Sequence, residues 1–195
     1  MTTTESGERR LTARQAQLLD QLEELFLAEG FARFTLEDLA VRLRCSKTTL
    51  YALADSKEQL AVRVVRHFFR RATADVETRT AGEDDPARRV TAYLEAVARA
   101  LTPASRAFRR DLEAFSPGRA VYEHNTAVAA ERVSALIGDG VAAGVFRTVH
   151  PALVADTVTT LMLRIGRGDT ARATGLDDAT AYRELAALLL HGISR

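Results

Sequence analysis

The spacing of the apolar residues constrains this chain most, because they recur three and four positions apart almost throughout the sequence. Leu18, Leu22 and Phe26 follow this spacing early in the chain, as do Leu185 and Leu189 near its end. Such spacing puts one apolar stripe along an amphipathic helix, whereas a half-buried strand alternates at every second residue. No segment sustains that alternation. The sequence therefore predicts an all-α protein with about nine helices.

Start and stop signals divide the apolar runs into separate helices. Thr12–Gln15, Thr35–Asp38 and Ser56–Gln59 have the pattern of capping boxes, in which two side chains satisfy free backbone N–H groups at a helix start. Gly30 is expected to end the first helix. A long helix is expected from Ser56 to about Arg79, and residues 166–175, rich in Gly and polar residues, are predicted to form a loop.

Composition narrows the functional classes. The single cysteine excludes an intrachain disulfide. No run of the sequence approaches the roughly 18 apolar residues of a membrane span. The first ten residues lack the apolar segment of a secretory signal. We therefore expect a cytoplasmic protein with no membrane partner. The four histidines have no metal-ligand spacing, and the Glu-x-x-His pairs of helical di-iron enzymes are missing. We predict no metal, no cofactor and no catalytic residue, although an enzyme is the rival class.

A helix-turn-helix is predicted near the start of the chain. Two short helices flank residues 43–45, and in such a motif the second helix enters the major groove of DNA. The whole chain has a net charge of +1, yet residues 33–71 hold nine Lys or Arg and four acids, which gives +5. Lys47 and Lys57, the only lysines, both lie there, each in the first turn of a predicted helix, where backbone N–H groups attract anions. This segment is the predicted DNA-binding surface.

The same segment resembles the TetR family of bacterial transcriptional regulators over about residues 12–70. The matching residues are Phe34, Thr35, Leu36, Leu39, Ala40, Ser46, Lys47, Thr49, Leu50, Tyr51, Ser56, Lys57, Glu58 and Leu60. The resemblance implies a flexible tail (1–11), a helix-turn-helix domain (12–57), a connecting helix (58–80) and a ligand-binding and dimerisation domain (81–195). It also implies phosphate contacts from Thr35, Tyr51 and Lys57, and groove contacts from Arg44, Ser46, Lys47 and Thr48.

Three positions depart from the family pattern. Arg44 stands where the turn usually has Gly, and left-handed geometry there would cost about 1–2 kcal/mol. Cys45 replaces Val and is interpreted as a small buried residue of the turn rather than as a redox switch. Leu53 and Ala54 replace a His-Phe pair, so the aromatic contact between the third and fourth helices is missing.

The resemblance also implies that a small molecule binds among the middle helices and that subunits pair through the last two. The candidate pocket residues are Phe68, Tyr93, Phe108, Arg109, Leu112, Tyr122, Asn125 and Met162. The candidate dimer residues are Val154, Val158, Leu161, Ile165, Leu185, Leu188 and Leu189.

Two functions follow from these predictions. In the first, a homodimeric repressor binds a palindromic double-stranded DNA operator and is released when a mostly apolar effector tilts the 56–79 helix. In the second, a DNA-binding regulator without a pocket is controlled by a protein partner. A cavity of several hundred Å3 among the middle helices would favour the first, and a filled core would favour the second.

Overall fold

The computed structural model describes residues 11–194, which form ten α-helices. Within this range the only extended pairing is an isolated bridge between Phe146 and Ser194, so the predicted all-α class is confirmed. The predicted tail, apart from Leu11, lies outside the described residues. The helices are α1 (Ala13–Glu29), α2 (Leu36–Arg42), α3 (Lys47–Tyr51), α4 (Lys57–Thr80), α5 (Pro86–Leu101), α6 (Arg106–Ala114), α7 (Ser116–Ala142), α8 (Pro151–Gly166), α9 (Asp169–Thr174) and α10 (Asp178–Ile193).

The helix missing from the sequence prediction is α9, which lies inside the predicted loop. Gly168 and Gly175 flank it in left-handed geometry, with φ values of 74° and 77°. None of its six residues is buried, so it has no apolar stripe for periodicity to detect. In addition, α7 begins at Ser116 rather than near Arg119, because Pro117 is compatible with the first turn of a helix.

Two of the three predicted capping boxes are complete. The Thr12 and Thr35 hydroxyls accept hydrogen bonds from the backbone N–H three residues later, and Gln15 and Asp38 return the second bond. Ser56 accepts from the Gln59 N–H in the same way. The Gln59 amide oxygen, however, accepts from the Asp55 N–H at 3.1 Å instead of completing the box at Ser56.

The apolar side chains form two cores. The first combines α1–α3 and the first half of α4 with Phe108 and Leu112 of α6. The second combines α5, α7, α8 and α10 around Tyr182 and also receives Val76 from the far end of α4. Helix α4 therefore contributes to both cores, and α6 is packed on the helix-turn-helix side.

None of the helices in the described part of the chain combines the length and apolar character needed to cross a bilayer. Residues 11–194 also contain no group of three His, Cys, Asp or Glu side chains placed to hold a metal ion.

Candidate nucleic-acid interface and ligand cavity

The helix-turn-helix consists of α2, a tight turn and α3. Arg44 has a φ of 49° and is the one described residue other than glycine with positive φ. Its N–H donates to the Val41 carbonyl at 3.2 Å, and the Cys45 N–H donates to the Ala40 carbonyl at 2.9 Å. These two bonds close a Schellman motif, which is why the turn needs a left-handed residue at position 44.

The predicted DNA-binding residues are all exposed, except that Lys57 is half-buried. Thr35 and Ser46 are occupied in part as N-caps, since each hydroxyl accepts from the backbone of its own helix. The hydrogen bond from Thr35 lowers the pKa of Asp38, which keeps that cap charged. The exposed residues of the set are Thr35, Arg44, Ser46, Lys47, Thr48 and Tyr51.

Acidic neighbours neutralise part of the positive charge predicted for this segment. Arg33 and Arg42 both pair with Glu29, and Lys47 pairs with Glu37. Arg44 has no carboxylate partner among the described residues. Ion pairs at an exposed surface contribute little energy, so Lys47 can exchange Glu37 for a DNA phosphate or base at small cost.

Lys57 is tied to the connection between α1 and α2. Its ammonium donates to the Ala32 carbonyl at 2.7 Å. The Phe31 and Ala32 N–H groups donate to one carboxylate oxygen of Asp111, at 2.7 and 2.8 Å. Asp111 lies on α6 and is only 5% exposed. Helix α6 is thereby hydrogen-bonded to the loop that also holds Lys57, a link that the sequence analysis did not find.

A cavity of about 650 Å3 lies between α4 and α6 and extends towards α8 and α9. Its apolar wall includes Phe68 and Phe69 of α4 and Phe108 of α6, with Phe68 and Phe108 ring centroids 5.9 Å apart. A second space of about 60 Å3 adjoins it, and Tyr122 borders both. The predicted pocket residues Phe68, Phe108, Arg109, Leu112 and Tyr122 line the large cavity, and Tyr93, Asn125 and Met162 line the small one.

The hydroxyl groups of the two tyrosines at these cavities are protonated near neutral pH. Burial raises the pKa of Tyr93 to about 12, and burial also raises the pKa of Tyr122. The Tyr122 hydroxyl donates to the Met162 carbonyl at 3.4 Å. Both side chains therefore offer neutral hydroxyl groups rather than negative charge.

The helix-turn-helix segment matches a model of a known protein family. Residues 18–64, which contain α2, the turn and α3, match the family described as bacterial regulatory proteins, tetR family. Its helix-turn-helix is of the TetR type. No curated protein matches the sequence.

Solved structures of low sequence identity share the fold of the whole chain. PfmR from Thermus thermophilus, a TetR-family transcriptional regulator, is 23% identical with a TM-score of 0.62, covering 92% of this chain and 100% of its own. A putative transcriptional regulator from Saccharomonospora viridis in complex with choline is 16% identical with a TM-score of 0.75, covering 93% and 98%. The fatty acid degradation regulator FadR from Bacillus halodurans is 12% identical with a TM-score of 0.74, covering 94% and 98%.

The predicted dimer face is only partly exposed in the described subunit. Four of its seven residues are buried in the subunit's own second core: Val154, Val158, Ile165 and Leu185. Leu161 and Leu189 are half-buried, and Leu188 is 69% exposed. Leu153, which the sequence analysis did not select, is 65% exposed at the start of α8. An apolar stripe in the sequence does not show whether the subunit's own core or a partner subunit covers it.

Cys45 is a packing residue in the described structure. It is half-buried against the first core, and burial raises the pKa of its thiol. A thiol of raised pKa holds little thiolate near neutral pH, which lowers its reactivity.

Proposed function

We propose that this chain is a TetR-family transcriptional regulator that acts as a homodimeric repressor, released from a palindromic double-stranded DNA operator when a small effector occupies the 650 Å3 cavity. One observation carries the proposal. Helix α4 begins at Lys57, beside the DNA-binding surface, and its Phe68 and Phe69 form a wall of the cavity. With 24 residues, α4 is about 36 Å long, so a shift at its middle displaces its start.

On the DNA side, we assign two kinds of contact. Arg44, Ser46, Lys47 and Thr48 face the major groove, where side chains read base edges. Thr35, Tyr51 and Lys57 contact phosphates, which fix the position of the motif without reading sequence. The Lys57 ammonium has three N–H donors and uses one on Ala32, so two stay available for a phosphate.

An effector in the cavity can act on the DNA-binding surface through two helices, α4 and α6. An effector wedged between α4 and α6 moves α4 directly, and it moves Asp111 of α6 together with the Phe31–Ala32 loop. Release requires that the effector bind the DNA-incompetent state more tightly, with a typical coupling of about 1–3 kcal/mol. The alternative, a regulator controlled only by a protein partner, does not account for a cavity of this size.

For assembly, we propose that a second copy covers the exposed apolar residues of α8 and α10. Leu153 and Leu188 are too exposed and too large to be favourable in water if both stay uncovered. Half-buried Leu161 lies on the same helix as Leu153, and half-buried Leu189 follows Leu188 directly. We also propose the division into residues 12–57 for DNA binding, 58–80 as connector and 81–195 for effector binding and pairing. The first core crosses the first of these boundaries, which suits a coupled response.

The test begins with selection of the operator from random duplex DNA by the full-length protein. Lys57→Ala should then weaken binding to all sequences about equally and flatten the salt dependence by roughly two units for a dimer, because two phosphate contacts are lost. Arg99→Ala is the matched control, since Arg99 pairs with Glu95 on α5, outside the helix-turn-helix. An unchanged slope for Lys57→Ala would remove the phosphate role of Lys57.

A further inference from the structure

The lining of the 650 Å3 cavity is rich in arginine. Five arginines line it, Arg106, Arg109, Arg110, Arg167 and Arg172, against three acidic residues, so two positive charges are in excess. All five are exposed or half-buried, whereas the buried residues of the lining are mainly aromatic and aliphatic. The cavity therefore combines a buried apolar part with a more exposed positive part.

Arg109 is the arginine best placed to meet a ligand. It lies on α6 one residue from Phe108, its side chain is only 27% exposed, and it pairs with Asp178 of α10, which also lines the cavity. Asp178 is itself 22% exposed, so the pair is partly screened from solvent. A ligand carboxylate or phosphate can replace Asp178 on the same guanidinium, because both present two oxygens to its planar fork.

Two further arginines support an anionic end. Arg106 has no carboxylate partner among the described residues and lies in the first turn of α6. Arg167 is 36% exposed and shared between Glu113 and Glu123, at 3.4 and 3.1 Å. An incoming anion thus finds one uncompensated arginine and two whose partners are replaceable.

We infer that the cavity binds an amphipathic anion, with an apolar body against Phe68, Phe108 and Leu112 and a carboxylate or phosphate end at Arg109. This inference rests on the proposed function, in which the cavity is the effector site. It replaces the expectation of a mostly apolar effector. It also gives the effector a direct action, since an anion that takes Arg109 from Asp178 breaks the contact between α6 and α10.

The experiment compares probes with one ten-carbon body and different ends, each below its micelle-forming concentration. Decanoate, decyl phosphate, decanol and decylamine are titrated into the full-length protein by calorimetry, because the chain has no tryptophan to report binding. At least one anion should bind about tenfold more tightly than decanol or better, because a hydrogen bond between two charged groups adds that much affinity. Decylamine should bind most weakly, because its end is positive. The preference between the two anions identifies the carboxylate or phosphate as the natural end.

Two variants of opposite effect locate the anion. Arg109→Gln should lower the affinity for the preferred anion about tenfold and leave decanol unchanged, whereas Asp178→Asn should raise it by freeing Arg109. Arg99→Gln, which alters an exposed ion pair on α5, is the control and should change neither. Circular dichroism of each variant establishes that the fold is kept.

The outcomes separate this inference from the proposed function. If decanol binds as tightly as both anions, or if Asp178→Asn weakens anion binding, the anionic class is wrong while the cavity stays an effector site. If none of the four probes binds, both the anionic class and the effector role of the cavity are rejected.

Discussion

At the scale of single residues, Arg44 is expected to lower the stability of the turn while it contributes to DNA binding. Its φ of 49° is a geometry that glycine adopts freely and that other residues adopt at a cost. Arg44→Gly should therefore raise the free energy of unfolding by up to about 1 kcal/mol, measured by denaturant titration. The same change should weaken operator binding, because an exposed guanidinium without a carboxylate partner is removed from the proposed groove face.

The control for this prediction is Arg44→Lys, which keeps the charge and the strained backbone. It should leave stability unchanged and retain part of the DNA affinity, although a lysine lacks the fork that grips a guanine edge. If Arg44→Gly binds the operator as tightly as the parent protein, Arg44 has no role in DNA binding and its strain needs another explanation.

At the scale of helices, the contact between α6 and the α1–α2 loop depends on Gly30. Gly30 has a φ of 76°, and a Cβ there would collide with the Asp111 carboxylate. With a ψ of −176°, this backbone geometry is almost exclusive to glycine. Gly30→Ala should therefore break the Asp111 bonds to Phe31 and Ala32, lower stability by more than the roughly 1–3 kcal/mol of backbone strain, and change operator affinity. Both quantities are measured by denaturant titration and by fluorescence anisotropy with labelled DNA.

The chain offers a matched control for this substitution. Gly144 has the same φ of 76° but no atom within 4 Å of where a Cβ would lie. Gly144→Ala should therefore show the strain of a positive φ without the collision and leave operator affinity unchanged. If both substitutions change operator affinity equally, the Asp111 contact does not link α6 to DNA binding.

These helices also show how far the sequence predicts the structure. The caps at Thr12 and Thr35 were predictable because all their partners lie within three residues. The eight pocket residues were chosen by apolar or polar type on the middle helices, and all eight border one of the two cavities. Asp111 could not be found in this way, because its partner Phe31 lies 80 residues away and a single acid on a short helix forms no pattern. The inward direction of Val158 was equally hidden, since its stripe suits a core or an interface alike.

At the scale of the whole molecule, the helix-turn-helix reads a palindrome only if two copies pair with a two-fold axis. The described subunit leaves few large apolar side chains uncovered on α8 and α10, chiefly Leu153 and Leu188. This face is small for one subunit, but a symmetric dimer buries each of its residues twice. In the proposed dimer, Leu188 of each subunit would pack against α8 or α10 of the partner. The two α3 helices would then lie about one turn of DNA apart, or a small multiple of it.

Leu188→Glu should convert the protein to a folded monomer, because it places a charge where the partner would bury a leucine. Sedimentation velocity at micromolar concentration measures the assembly state, and circular dichroism checks that the helices persist. Val41→Glu is the control, since Val41 is 78% exposed on α2, far in sequence from the proposed pairing helices, and should leave the dimer intact. The monomer should also lose most of its operator affinity, because each half-site contact then forms without its partner. If Leu188→Glu still sediments as a dimer, the subunits pair through another surface, and the spacing of the two recognition helices must be derived from that surface instead.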